Sequence, residues 1–451
     1  MTDSGRTLRL MQSRPYRAWV LGLLLTVSMF GFVDRQIIAA LGQPIKRDLQ
    51  LSDAELGLLG GLAFALLNTA ISIPIARLAE RARRVTIYAI GVCLWSLATM
   101  ACGLASGFVQ LLVARICVGV GEASAPAVSS MIADYYPRDR RASAMAVYVL
   151  AVPAGALIGA AGGGFIAQHA DWRLAFAAAG APGLLLALLL ALTVREPLRG
   201  HYDPPGQGQA PPPPVSAVLR RMVQRPAFLH VMLGSTLASA GGFAINIFLA
   251  QYFFRRFGLD FATSGLISGL ISALAGSVSM LGGGLVADAL GRKDPRFYAL
   301  TPGLGCLLAA PLYVLAFLQA GWPAAVALLM LTGLVQYAYM APSMGLAQNL
   351  MEPRMRATGA AVVGIMTNLV GAGLGPLIVG ALSDGLARRA FQGDFAAACA
   401  GARAAETAAA GACGAASAAG LQQACMLTAP LYLWGAVHFV LAARTMKRDM
   451  A

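Results

Sequence analysis

Runs of about 20 apolar residues, each closed by charges, prolines or glycines, recur twelve times along the chain, near 18–41, 54–76, 85–105, 107–132, 142–168, 173–194, 228–254, 262–287, 297–319, 323–350, 357–383 and 427–444. A run of that length crosses the roughly 30 Å hydrocarbon core of a bilayer as a helix. The pattern therefore predicts an all-α membrane protein with twelve transmembrane helices. Four arginines precede Trp19, but the first run contains Asp34 and Arg35 and no small-residue cleavage site follows soon after. It is read as an uncleaved span, not a signal peptide. Behind a short N-terminal segment (1–17), residues 18–195 form one six-helix bundle and 228–445 a second. Between them 196–227, with Pro204, Pro205 and the run Pro211–Pro214, reads as an extended cytoplasmic linker. An Ala-rich, ambiguous stretch over 384–426 is placed as a long extracytoplasmic loop.

Composition removes the competing classes. Only 12% of the 451 residues are charged against 58% hydrophobic, about half the charge of a soluble domain. That excludes a cytosolic enzyme, a nucleic-acid-binding module and a disordered chain. The net charge of +14 reports topology instead. With the N-terminus inside, cytoplasmic segments hold 24 Lys and Arg and the opposite side 8, with Arg35 and Arg115 left inside spans. By the positive-inside rule both termini are cytoplasmic, as expected in a bacterial inner membrane. Cys93, Cys102, Cys117 and Cys306 lie in spans as packing residues. Cys399, Cys413 and Cys425 share the outer loop, where two of them can pair in an oxidising compartment. Which two is open.

The halves repeat. Residues 56–67 against 264–275 match at Gly57/Gly265, Leu58/Leu266, Gly61/Gly269, Leu62/Leu270, Ala65/Ala273 and Leu66/Leu274, and the register continues to Glu80/Asp288 and Arg84/Arg292. At an offset of 216, Pro126 pairs with Pro342, Pro137 with Pro353 and Arg138 with Arg354. Two parallel six-helix repeats suit alternating access around a midplane site.

Several motifs carry a resemblance. Gly284-x-x-x-Asp288-x-x-Gly291-Arg292-Lys293 after the eighth span, Arg115-x-x-x-Gly119-x-Gly121-Glu122 on the fourth, and Pro153 with Gly155-x-x-x-Gly159-x-x-x-Gly163 on the fifth resemble signatures of the major facilitator superfamily. The loop after the second span is weaker, with Ala76 where Gly is usual. Phe32-x-Asp34-Arg35 and Gly121-Glu122-Ala123 are similar to the Spinster branch, which implies a proton-linked exporter of lysolipid or sphingolipid-like molecules.

Only Asp34 and Glu122 among the acidic residues fall well inside spans. A charge there costs at least about 2.5–3.5 kcal/mol, so it is paired or functional. A carboxylate that is both desolvated and beside an arginine gains and loses a proton as its partner moves, which is what proton coupling needs. Arg115, Gly119 and Glu122 share one helix face, with Arg115 about 10 Å outward of Glu122. Asp34 and Arg35 lie level with Arg115, so an Asp34–Arg115 contact is expected, with Glu122 deeper in the same cavity. The competing reading is a set of static ion pairs fixing helix packing. Against it, the corresponding positions of the second half are Gly242, Phe243, Leu331 and Ala338.

Gly155, Gly159 and Gly163 let two helices approach closely, as does Gly371-x-x-x-Gly375 on the eleventh span. Glu80, Arg81, Arg84, Asp288 and Arg292 form an expected cytoplasmic salt-bridge gate, or else a solvated face. Candidate substrate contacts are Asn68, Thr69, Asn246, Gln336, Tyr337, Tyr339 and Asn368, although a helix-to-helix hydrogen bond is the commoner role for such residues. The four histidines are scattered, no Cys-x-x-Cys and no Gly-Lys-Ser/Thr loop occurs, so neither metal, cofactor nor direct ATP drive is expected. Membrane lipid, protons and an amphiphilic anion are the implied partners of a monomer driven by a proton gradient. A carrier of small organic anions is the second reading, a membrane-embedded enzyme using Asp34 and Glu122 as acid and base a third, and a non-transporting sensor a fourth.

Overall fold

The structure, a computed structural model, describes residues 13–199, 215–349, 362–402 and 408–450. Among these there is no strand, and twelve helical stretches are long and apolar enough to cross a membrane. They are Arg14–Asp48, Asp53–Ala79, Arg84–Cys102, Phe108–Tyr135, Ser143–His169, Trp172–Thr193, Pro226–Phe257, Phe261–Gly291, Phe297–Phe317, Trp322–Leu346, Val362–Ala390 and Gly411–Asp449.

Two compact units result, one of Met1–Ile37 and Ala63–Ala210, the other of Ile38–Leu62 and Pro211–Ala451. This differs from the expected boundary in one respect. The end of the first span and the start of the second belong with the second unit. Missing side chains explain it: a Cβ on Gly57 would lie 2.2 Å from the Pro376 carbonyl oxygen, and one on Gly380 2.2 Å from that of Asp53. The second span can therefore begin directly against the eleventh.

Glycine does the same inside each unit. In the first, Cβ atoms on Gly155 and Gly159 would sit 2.5 Å from Met29 O and 2.6 Å from Val33 O, joining the fifth span to the first; Gly163 is also buried. In the second, Cβ atoms on Gly371 and Gly375 would sit 2.6 Å from Ser239 Oγ and 2.3 Å from Ala240 O, joining the eleventh span to the seventh. Lipid tails offer no hydrophobic drive for helix association, so backbone approach of this kind carries the packing. The repeat also places the helix breaks. On the fourth span the helix stops at Glu122 and resumes at Pro126; on the tenth it stops at Gln336 and resumes at Met340, two residues before Pro342. Proline has no N–H to donate to the preceding turn, and Ala125 N–H donates to the Glu122 carbonyl instead, at 3.0 Å.

Two connections differ from expectation. The linker is not extended throughout: Val215–Gln224 is a helix with Val218 and Met222, one turn apart, buried. Most of the Ala-rich loop is helical as well, with Phe395–Ala402 and Ala408–Met426 bridged by a Cys399–Cys413 disulfide and Cys425 left free and buried. Alanine has the highest helix propensity of any residue, so an apolar count alone underestimates helix there. Two of the scattered histidines also meet. The Nδ1 atoms of His230 and His438 lie 2.9 Å apart, one donating and one accepting.

Candidate functional site

Inside the first unit the break on the fourth span sits against close neighbours. A Cβ on Gly119 would lie 2.6 Å from Phe64 O, and one on Gly121 2.6 Å from Trp95 N. Arg115 and Glu122 are thereby pressed among the second and third spans and buried. Asp34, fully buried on the first span, accepts Arg115 Nη1 at 2.8 Å on one oxygen and Thr99 Oγ1 at 2.7 Å on the other. The next residue, Arg35, points to the other acid. Its Nε donates to Glu122 Oε2 at 2.7 Å, and its Nη2 reaches the same oxygen.

The two pairs are not equivalent. Arg115 and Asp34 are at most 1% exposed, whereas the Arg35 side chain is 37% exposed, lying over the rings of Phe32 and Phe64 at 5.0 and 4.7 Å. Glu122 Oε1 and Arg115 Nε are buried without a hydrogen-bond partner among the described residues. Two carboxylates and two guanidiniums make the cluster neutral as drawn. Adding one proton leaves one guanidinium uncompensated, and Arg35 is the one placed to meet water or an anion. The pairing of Glu122 with Arg35 and the Thr99 donor were not legible in the sequence. Second-unit positions Gly242, Phe243, Leu331 and Ala338 carry no charge; there Tyr313 and Tyr432 hydroxyls converge on Gln336 Oε1 instead.

The candidate substrate residues divide. Asn68 donates to Gly119 O at 3.1 Å and Asn246 to Ser272 Oγ at 2.6 Å, both ties between helices of one unit. Thr69 O accepts from Ser72 on its own helix. Tyr337 and Asn246 line a cavity of only ≈ 10 Å³, room for about one water. Tyr339 and Asn368 line a larger one of ≈ 210 Å³ within the second unit, with Phe243, Met280, Met344 and Val363.

The expected cytoplasmic gate is corrected at Arg84. All three of its guanidinium nitrogens are engaged within the first unit, by Asp134 (2.6 Å), Ser130 (2.7 Å), Glu196 (2.8 Å) and Pro197 O (3.0 Å), and it is 3% exposed. It knots the ends of the third, fourth and sixth spans, with four of its five N–H donors already engaged there. Arg81, Asp288 and Arg292 are exposed, and none forms a salt bridge among the described residues. The Glu80 side chain lies outside them.

One buried cluster was missed. Asp53, assigned to a loop, is 1% exposed and accepts both Arg255 Nη atoms at 2.7 Å, Ser383 Oγ at 2.6 Å and Lys46 Nζ. Asp384 in turn accepts the Asp53 and Ala54 N–H groups at 3.0 and 2.9 Å, and Gln43 Oε1 accepts Arg255 Nε at 2.7 Å. The Ser52-x-x-Glu55 capping box, both halves of which are made, marks this helix start in the sequence. Nothing local points to Arg255 or Asp384, 202 and 331 residues away.

The Major Facilitator Superfamily model matches residues 23–391. An "MFS-type efflux pump" of Mycolicibacterium smegmatis is 32% identical over 383 residues, 82% of this chain and 86% of that protein. Human "Protein spinster homolog 1" is 27% identical over 398 residues, 82% of this chain and 74% of that one. Among solved structures, a bacterial homologue of the human lysosomal transporter Spinster, in an inward-facing and unoccupied conformation, superposes with a TM-score of 0.85 at 32% identity over 97% of this chain and 99% of its own. The nucleoside transporter NupG, at 13% identity and a TM-score of 0.69, shares the fold. With twelve spans, an internal repeat and these matches over nearly its whole length, the chain belongs to the major facilitator superfamily and is a multi-pass membrane transporter of the Spinster type.

Proposed function

We propose that the protein is a proton-coupled secondary transporter, working by alternating access and exporting an amphiphilic, lipid-like anion. The observation that carries this reading is the neutral cluster Asp34–Arg115 and Arg35–Glu122, with one acid oxygen unpartnered and one arginine reaching water. Protonating Glu122 would free Arg35 for an anionic headgroup, and re-pairing of Arg35 with Glu122 would expel the proton and the headgroup, so occupancy by proton and by anion would be linked through one ion pair. Such linkage is what lets a proton gradient bias substrate movement. The ≈ 210 Å³ cavity bordered by methionines and Phe243 suits an alkyl chain, Met being adaptable and polarisable. The efflux-pump relative supports export.

For orientation, both termini are read as cytoplasmic in a bacterial inner membrane. Two independent features support this: the 24-to-8 bias of basic residues, and a Cys399–Cys413 bridge on the segment that this topology puts outside. The working unit is read as a monomer.

Reconstituted flux tests the proposal. An imposed pH gradient across proteoliposomes should drive movement of a labelled lysolipid, and Glu122→Gln should abolish the gradient dependence. Flux of short carboxylates in place of lysolipid would establish the small-anion reading. Product formation without flux would overturn transport of either.

A further inference from the structure

Arg444 near the end of the last span is exposed and takes no part in the transport site, and among the described residues it forms no ion pair. It stands at one end of a groove of ≈ 690 Å³ between the eighth, ninth and twelfth spans, whose walls include Phe297, Leu304, Leu307, Leu433 and Val437. Thr301 is the only other polar side chain along it. From Leu433 to Arg444 the twelfth span rises about 16 Å at 1.5 Å per residue, close to half of a roughly 30 Å hydrocarbon core. The groove is thus one leaflet deep, apolar along its length, with a cation where headgroup phosphates lie. We infer that it is a binding site for an anionic diacyl phospholipid, with acyl chains along the ninth and twelfth spans and the phosphate on Arg444.

A second groove shows what the cation adds. On the first unit, ≈ 620 Å³ between the third and fourth spans is lined by Leu94, Leu97, Val109 and Val113, with Gln110 and no charged residue. Any acyl chain can lie in it; nothing there selects a headgroup. At the groove with Arg444, the nearby acid Asp294 is already held by Lys447 at 2.9 Å, so Arg444 is left for a lipid. Recognition of this kind needs both parts, a basic group at headgroup depth and an apolar bed beneath it.

Native mass spectrometry of the full chain, released from detergent with phosphatidylglycerol or phosphatidylcholine, tests the site. The wild type should retain phosphatidylglycerol in preference to phosphatidylcholine. Arg444→Gln should lower phosphatidylglycerol retention about five-fold, the worth of one basic group at an anionic surface. Val437→Trp, which fills the groove from an exposed position, should lower it too, while Leu97→Trp in the uncharged groove should not. Glycerol phosphate, which has the headgroup chemistry without chains, should fail to compete. Equal retention of the two lipids, or wild-type retention by Arg444→Gln, would overturn the assignment. Retention lost equally in the Leu97→Trp protein would do the same, and competition by glycerol phosphate would make the site one for free phosphate. None of these results depends on transport.

Discussion

Asp34→Asn is the sharpest single perturbation of this protein, because it removes one charge and almost no volume. The asparagine oxygen can still accept Arg115 Nη1, and its amide can donate to Thr99, whose hydroxyl turns to accept. Shape and hydrogen bonds are kept; the charge is not. Arg115 is 1% exposed and so becomes a buried cation without its partner, at a cost of about 3–5 kcal/mol. Swinging a two-state equilibrium from 1:99 to 99:1 takes about 5.5 kcal/mol, so this one change covers most of that range. Under the proposed proton coupling, with Arg115 better hydrated in the alternate state, the variant should sit at neutral pH in the state that acid would favour in the wild type. Spin labels placed in pairs on each face, in nanodiscs, would read the distances from pH 8 to pH 5. The variant should give a flat profile where wild type titrates. The double variant Asp34→Asn with Arg115→Gln removes both ends of the pair and should recover much of the thermal stability lost in the single one. A variant that titrates with the wild-type midpoint and amplitude, or a double variant no more stable than the single, would refute the reasoning.

Glu122→Gln should cost less, about 1–3 kcal/mol, since Arg35 is 37% exposed and water replaces part of its partner; thermal unfolding of the two variants side by side checks the order. Asp53→Asn leaves Lys46 and Arg255 around a neutral group and should destabilise the second unit by about 3–5 kcal/mol, seen as faster hydrogen exchange over residues 38–62; unchanged exchange there would show the cluster to be dispensable. Gly159→Leu forces a side chain into Val33 O, 2.6 Å from its Cβ, and should leave no monodisperse protein on size exclusion, whereas Gly162→Leu, with nothing within 4 Å, should behave as wild type. Peptide mapping without reductant should recover Cys399 linked to Cys413 and alkylate Cys425 only after unfolding; free thiols at both positions would place that loop in a reducing compartment and reverse the proposed topology.

The number of spans, their approximate limits and the two-fold plan were all legible from one dimension, because the hydrocarbon thickness imposes one helix length and one composition on every crossing. Asp34, Arg35, Arg115 and Glu122 were legible as a group for the same reason: a charge inside such a run is conspicuous against its neighbours. The Ala-rich stretch before the last span was not, since alanine is apolar enough for a membrane and helical enough for either side of it.

What remained hidden was pairing. Neighbouring residues Asp34 and Arg35 take partners seven residues apart on another helix, and which acid meets which arginine is decided only when the first and fourth spans pack together. Arg84 reads as a surface charge beside a loop until Asp134 and Glu196 close around it, and Asp53 reads as a polar loop residue until Arg255 arrives from 202 positions away. Local composition reports the solvent a residue must tolerate; a charge's role is set by the distance to its counter-charge, and for residues far apart in sequence that distance exists only once the helices have packed.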